Sequence, residues 1–280
     1  MIDRAMADIA VVGAGLAGLV CGQRLRQLGY RVMVLEKSRG VGGRMATRRL
    51  PGTWADHGVR CLEDQGDFSQ AIAQTLLERQ VLQIWGNVPY QLSPDGSLQA
   101  AAHPTRYVAA DGITAIAKFL ATGLDIKRGQ RVQSIAPTSD QTWNLTLEAA
   151  PEQAALITAK AVVLAIPAPQ ALTLLEPLSE LPDELRSAVR SVEFEACITA
   201  IATYPIDYQA QISEFPWQSM TVSGSADLAW LGLETSKHAD SPQPVIVAQS
   251  SAEFASRHLE TADLQPVGQQ LLSCAAQWLP

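Results

Sequence analysis

Three groups of residues near the start of the chain have the types and spacing to do chemistry. The first is Gly13-Ala14-Gly15-Leu16-Ala17-Gly18. The second is Glu36, 18 residues after Gly18. The third is Gly40-Val41-Gly42-Gly43-Arg44. Gly13 permits a tight turn, Gly15 lets the backbone approach a pyrophosphate, and Gly18 lets a helix pack closely on a sheet. A carboxylate at Glu36 can accept hydrogen bonds from an adenosine ribose. Gly42 and Gly43 again allow close approach, and Arg44 offers a forked cation to a diphosphate. The chemistry these residues fit is dinucleotide binding. Leu16 and Ala17 in the first turn, with Lys37 and Met45 beside the second and third groups, complete the candidate contacts.

Glycines alone also punctuate ordinary loops, so the elements around them carry the argument. A short apolar run, Asp8 to Val12, leads into the first glycine turn, and about fifteen helix-compatible residues follow. A second apolar run, Arg31 to Leu35, ends at Glu36. This predicts strand, turn, helix and strand, with free N–H groups and a positive dipole end presented to phosphates. A nicotinamide-binding unit needs nothing like GxGGR after its second strand, which narrows the ligand.

At this point the sequence resembles the FAD-dependent oxidoreductases that include amine oxidases, phytoene-desaturase-like enzymes and renalases. The run GVGGRMATRR (Gly40 to Arg49) and Trp54-Ala55-Asp56-His57-Gly58 look most like the bacterial renalase-like branch. So do LAWLGLETSK (Leu228 to Lys237) and VIVAQSSAEFASRHLE (Val245 to Glu260). The resemblance implies an α/β Rossmann-like FAD-binding domain with a parallel sheet, plus an α+β substrate domain, in the manner of p-hydroxybenzoate hydroxylase. It implies FAD as cofactor. It places Val132 on a strand lining the adenine and Pro167 after the strand that returns under the cofactor. The domains expected are 1–60 with 104–170 for FAD, and 61–103 with 171–280 for substrate. The implied reaction passes a hydride from a reduced pyridine nucleotide, an NAD(P)H-type small molecule, to flavin, with oxygen as reoxidant. An amine oxidase and a non-catalytic scaffold are the competing readings.

Chains of this family usually finish with a further strand–Gly-Asp–helix segment. Here no Gly-Asp follows residue 171, and the chain stops at AAQWLP (Ala275 to Pro280). On that reading the C-terminal FAD segment is missing from these 280 residues. Weakened FAD retention is then expected, with self-association through the apolar surface left behind.

Composition sets the outer limits. Net charge is −7. Residues 1–50 carry nine Lys+Arg and three Asp+Glu, whereas residues 171–280 carry four and fourteen. A basic start suits a bound anion, and the acidic remainder argues against nucleic acid as a partner. Lys37, Arg48 and Arg49 fit an anion contact or a solvated loop equally well. Cys21, Cys61, Cys197 and Cys274 show neither CxxC nor zinc spacing, which predicts buried free thiols and a cytoplasmic protein without a membrane span.

Flavin chemistry asks the protein mainly for position, electrostatics and a dry pocket, so few catalytic side chains are expected. His57 is the candidate; it either hydrogen-bonds flavin or substrate, or caps a strand. Trp217, Trp230, Phe215 and Tyr107 either wall a pocket or pack a core. Lys237 reads as a solvated loop lysine or a contact for an anionic substrate. His103, His238 and His258 read as surface residues, and Glu193 and Glu195 as one wet face of a strand. Further along, the pattern predicts helices over 61–80, 111–122 and 181–191. It predicts a hairpin over 81–102 turning at Ser93-Pro94-Asp95-Gly96-Ser97, and strands over 131–135, 143–147, 161–166, 195–204, 219–223, 228–235 and 245–250.

Overall fold

A computed structural model describes residues 6–86, 88–148, 156–238 and 243–279. In chain order the elements begin β1 (Met6–Val12), α1 (Leu16–Gln27), β2 (Val32–Glu36), β3 (Thr47–Leu50), β4 (Thr53–Asp56) and β5 (Leu62–Glu63). Then come α2 (Asp67–Glu78), β6 (Gln83–Ile84), β7 (Tyr90–Leu92), β8 (Leu98–Ala100), β9 (Arg106–Val108) and α3 (Thr114–Ala121). Next are β10 (Asp125–Arg128), β11 (Val132–Pro137), β12 (Trp143–Leu147), β13 (Leu156–Leu164), α4 (Ala168–Leu175) and α5 (Asp183–Arg190). The last are β14 (Thr199–Thr203), α6 (Gln209–Ser213), β15 (Ser219–Val222), β16 (Leu228–Leu233), β17 (Val245–Ser250), α7 (Ala252–Arg257) and α8 (Gln265–Ala276). A 3₁₀ turn, Glu234–Lys237, follows β16.

The chain divides into two compact units. The first joins the start of the chain through Arg44 to Ala117–Phe194, and the second joins Met45–Ile116 to the residues from Glu195 onward. The first unit is built on a six-stranded sheet of order β10-β2-β1-β13-β12-β11. Its first four strands run parallel, and β12 runs antiparallel to both of its neighbours, β13 and β11. The apolar runs of β1 and β2 explain their central place, because a parallel strand covered on both faces needs apolar residues at nearly every position. Ala10, Val34, Leu145 and Ala159 are fully buried there.

The second unit holds a sheet of order β14-β17-β16-β15-β7-β8. All its pairs are antiparallel except β15 with β7. β17, VIVAQS, is buried at every position. Its core gathers Trp217, Met220, Leu231, Ile246, Phe254 and Leu271, with Phe215 packed against it. Trp217 stacks on Phe215 at 4.9 Å. Of the two uses open to these rings, core packing is the one observed.

The division differs from the expected domains of 1–60 with 104–170 and 61–103 with 171–280. Residues 45–60 join the second unit because Asp56 bonds into it: its N–H donates to Glu234 and its carboxylate accepts from the N–H of Ile113. Residues 171–194 join the first unit because α4 packs on β11 and Leu174 enters that unit's core. Two smaller corrections follow. Glu193 and Glu195 are exposed but lie outside any strand, and Cys197 is exposed, whereas a buried thiol was expected. The long helix α8 occupies a stretch for which no element was read.

Candidate functional site

In the first unit the two glycine turns lie side by side. Gly13 accepts φ +105°, a conformation that side chains rarely adopt, and its N–H donates to the carbonyl of Leu35 at 2.8 Å. The N–H of Gly42 donates to the carbonyl of Ala14 at 2.9 Å, and Gly15 bridges Gly42 in parallel register. Gly42 and Gly43 have φ of +118° and +57°. Each glycine of the first turn has a different neighbour. A Cβ on Gly18 would lie 1.9 Å from the carbonyl oxygen of Gly13, and one on Gly13 would lie 2.6 Å from that of Ala165. A Cβ on Gly15 would meet nothing within 4 Å.

Gly15 is the N-cap of α1, with no side-chain cap and no acid in the first turn. The first-turn N–H groups around Leu16 and Ala17 are therefore left for an external acceptor, and the positive end of the helix dipole favours an anion. Glu36 is buried at the end of β2. One carboxylate oxygen accepts the N–H of Ala14 and the other the N–H of Ser38, both at 2.8 Å. A carboxylate has about four acceptor sites, so each oxygen keeps one for a ribose hydroxyl.

The other expected contacts are distributed as follows. Lys37 is exposed, with its Nζ 3.5 Å from Oε1 of Gln170. Arg44 is exposed, its guanidinium carbon 5.5 Å from the centre of the Phe194 ring. Pro167 starts α4, one residue after Ile166, whose side chain borders Gly13. Val132 is buried in the core of the first unit, at the first residue of β11. Met45 is buried at the start of the second unit and its carbonyl accepts the hydroxyl of Thr114.

These residues fit a dinucleotide such as FAD: open space at Gly15, uncapped helix N–H groups for the diphosphate, and a buried carboxylate with spare acceptor sites for the ribose.

In the second unit His57 follows β4. Its backbone is closed at both ends, the N–H donating to Ala46 and the carbonyl accepting from the hydroxyl of Thr199. Burial, then the charge of Arg48, lowers its pKa and keeps the ring neutral at neutral pH.

Beside His57 lies a group that sequence reasoning missed. Lys237 is 2 % exposed, not a solvated loop lysine, and His238 is 6 % exposed, not a surface residue. The ammonium of Lys237 lies 3.2 Å from Oδ2 of Asp56 and 2.9 Å from Oε2 of Glu234. The His238 ring lies against that of Trp54, tilted by 32° with centroids 4.4 Å apart, and both its ring nitrogens are buried without a hydrogen-bond partner among the described residues. The sequence signal available was the i,i+3 spacing of Glu234 and Lys237, which on an exposed turn would mean little. Of the other histidines, His103 is exposed as expected, and His258 is half-buried against Phe254. Trp230 and Tyr107 are buried, Trp230 beneath the Arg60 guanidinium at 4.8 Å. Among the described residues there is no metal-binding cluster, and no helix is long and apolar enough to cross a membrane.

Known proteins share parts of this sequence and its fold. Residues 11–77 match the model of the NAD(P)-binding Rossmann-like domain, and residues 97–207 match that of the flavin containing amine oxidoreductases. Two stretches of the chain are thus similar to dinucleotide-binding and flavin-containing amine oxidoreductase sequences. Among curated proteins it is 46% identical over 59 residues to lysine-specific histone demethylase 1 homolog 1 of Arabidopsis thaliana, covering 21% of this chain and 7% of that one. It is 39% identical over 59 residues to the L-amino acid dehydrogenase of Synechocystis sp., covering 21% and 12%. The chain thus spans well under two thirds of these relatives' own lengths. Among solved structures, putrescine oxidase bound to putrescine superposes with a TM-score of 0.75 at 14% identity, over 99% of this chain and 82% of the other. That likeness is one of fold.

Proposed function

We propose that this chain is an FAD-dependent oxidoreductase that removes a hydride from a carbon bonded to nitrogen. The observation that carries the reading is the paired glycine cradle of the first unit, open at Gly15 and flanked by the buried Glu36 carboxylate. Glu36 would hold the ribose, the first turn of α1 and Arg44 the diphosphate, and Gly42 and Gly43 would let the backbone approach it. FAD, when bound, supplies the two-electron acceptor, and oxygen returns it to the oxidised state with release of hydrogen peroxide. His57, kept neutral by burial, has one nitrogen able to accept a proton and one able to donate.

For the substrate we favour a reduced pyridine nucleotide in a dihydro form, on the strength of the renalase-like runs GVGGRMATRR and LAWLGLETSK. An amine is the second reading, supported by the amine oxidoreductase match over residues 97–207. An amine and a 1,2- or 1,6-dihydropyridine both donate hydride from a carbon bonded to nitrogen, whereas a 1,4-dihydropyridine donates it from C4. The test is anaerobic mixing of the FAD-loaded protein with dihydropyridine isomers, NAD(P)H and primary amines, followed by flavin absorbance. Bleaching by a dihydropyridine is expected. Bleaching by amines alone would transfer the assignment to the second reading. A colourless protein that FAD cannot reconstitute would mean a scaffold that keeps only the fold.

A further inference from the structure

Two carboxylates and one ammonium are enclosed together in the second unit. The side chains of Asp56, Glu234 and Lys237 are each 1% exposed. Asp56 lies on β4, and Glu234 and Lys237 on the 3₁₀ turn after β16, 178 and 181 residues further along the chain. The cluster therefore ties the two chain segments of this unit together. Its hydrogen bonds are dense. Oδ1 of Asp56 accepts the hydroxyl of Thr47 at 2.7 Å and the N–H of Ile113 at 2.8 Å. Oε1 of Glu234 accepts the N–H of Asp56 at 2.8 Å and a proton of Lys237 at 3.1 Å.

Charge does not balance, however. With all three groups ionised the cluster carries one net negative charge, and burying an uncompensated charge is costly. Among the described residues, no cation other than Lys237 lies within ion-pair distance of Asp56 or Glu234. β17, which packs against the turn, contributes none among VIVAQS. Trp85 presents its ring face to Lys237 at 5.6 Å and donates its N–H to Ser236. Gln83 donates to the carbonyl of Lys237. Burial, more than the neighbouring Lys237 charge, holds His238 below its ordinary range and so neutral. Burial likewise pushes the Cys61 thiol up to about 11, so it adds no charge at neutral pH. Arg106, also within electrostatic reach of Cys61, has its guanidinium 4.3 Å from the Trp85 ring and donates to Ser219.

We propose that Asp56, Glu234 and Lys237 form a proton-operated latch between the two chain segments of the second unit, tight when the cluster carries one extra proton and looser when that proton leaves. Asp56 has three donors directed at it, from Thr47, Ile113 and Lys237, and Glu234 has two, from Asp56 and Lys237. Glu234 is the group that takes the proton. Burial raises its pKa from 4.5 to about 7, against the opposing pull of Lys237. Burial would discharge Lys237, but the two carboxylates outweigh it and hold the ammonium above its usual range. The sign follows from linkage. A carboxyl whose pKa is raised on folding stabilises the fold below its unfolded pKa, and that stabilisation is lost as pH rises through the folded value. For values of 4.5 and about 7, this one group lowers the folding constant about thirtyfold between about pH 5.5 and pH 8.

The experiment compares the pH profile of stability, from urea unfolding, in the wild type and Glu234→Gln, which mimics the neutral carboxyl. The difference between the profiles should amount to about thirtyfold over that window. Protection of the Asp56 and Ile113 amides from hydrogen exchange should fall over the same window in the wild type only. Parallel profiles with unchanged amide protection would overturn the latch. If Glu234→Gln does not fold, infrared spectra of the wild type carrying ¹³C-labelled glutamate decide the same point. A buried protonated glutamate carbonyl at pH 6 that vanishes by pH 8 supports the proposal, and its absence at pH 6 overturns it.

Discussion

Glu36 has two jobs in one carboxylate. It is the proposed ribose contact, and it also accepts the N–H groups of Ala14 and Ser38. Glu36→Ala therefore affects more than cofactor. FAD affinity should fall by about tenfold or more, for a charge-assisted bond of about 1.5–3 kcal/mol. The apo protein should also lose about 1–3 kcal/mol, because two donors near the turn lose their partner. FAD titration and urea unfolding of the apo protein measure the two effects separately; an unchanged affinity would remove the ribose assignment. His57 and His238 make a second residue-scale case. Burial is the main cause lowering both pKa values. Their pH dependence is opposite to that of Glu234: their stabilisation is present above about pH 6.5 and is lost as pH falls through the folded values. His238→Phe keeps a ring against Trp54 and removes two buried nitrogens that have no hydrogen-bond partner among the described residues. That variant should match or exceed wild-type stability, and its advantage should grow from pH 7 to pH 5; a shrinking advantage would contradict the assignment of a neutral ring.

At the scale of elements, the turn between β1 and α1 separates packing from binding. A Cβ on Gly18 would collide with backbone, the carbonyl of Gly13 at 1.9 Å, which cannot swing aside as a side-chain tip would. Gly18→Ala should destabilise the first unit and abolish FAD retention together. Gly15 has φ −73°, which alanine accepts, and open space where the Cβ would go. Gly15→Ala should leave apo stability within about 0.5 kcal/mol of wild type, as surface changes usually do, while FAD affinity drops. Thermal melts and FAD titration of the pair test this contrast. If Gly15→Ala binds FAD normally, the open space is not where the diphosphate lies.

For the molecule as a whole, a ligand that binds only the folded state stabilises it by mass action, by about 2.7 kcal/mol at a hundred times its dissociation constant. FAD should therefore raise the melting temperature in a concentration-dependent way. Hydrogen exchange should show the largest new protection where the cradle is built, at residues 13–18 and 36–44, with less at β7, β8 and α8. Protection gained mainly in the latter three would place the cofactor elsewhere. The net charge of −7 predicts no measurable affinity for nucleic acid at physiological salt, which a fluorescence anisotropy titration checks.

The paired glycine turns and the buried Glu36 were legible in the sequence because their physics is local. Glycine spacing, an apolar strand before it and an acid at the end of the next strand fall within residues 8–44, where turn geometry and helix polarity depend on near neighbours. The hairpin at Ser93 to Ser97 was legible for the same reason, through its own turn chemistry: the N–H of Ser93 donates to Ser97, and that of Gly96 to Ser93. Helices α1, α2, α3 and α5 fell where periodicity put them, whereas α4, α6, α7 and α8 were not read from it. The buried cluster of Asp56, Glu234 and Lys237 was not legible. Nothing local marks Lys237 as buried, since an i,i+3 acid–lysine pair on a turn is usually solvated. What buries it is the return of the chain after some 180 residues, which brings Asp56 against it and lays Trp85 across it. The unit boundaries were decided in the same way. Residues 45–60 follow the glycine cradle in sequence, but the bonds of Asp56 to Glu234 and Ile113 draw them into the second unit. Sequence alone determined the parts whose partners are near in the chain, and the tertiary fold decided burial and charge where the partners are far.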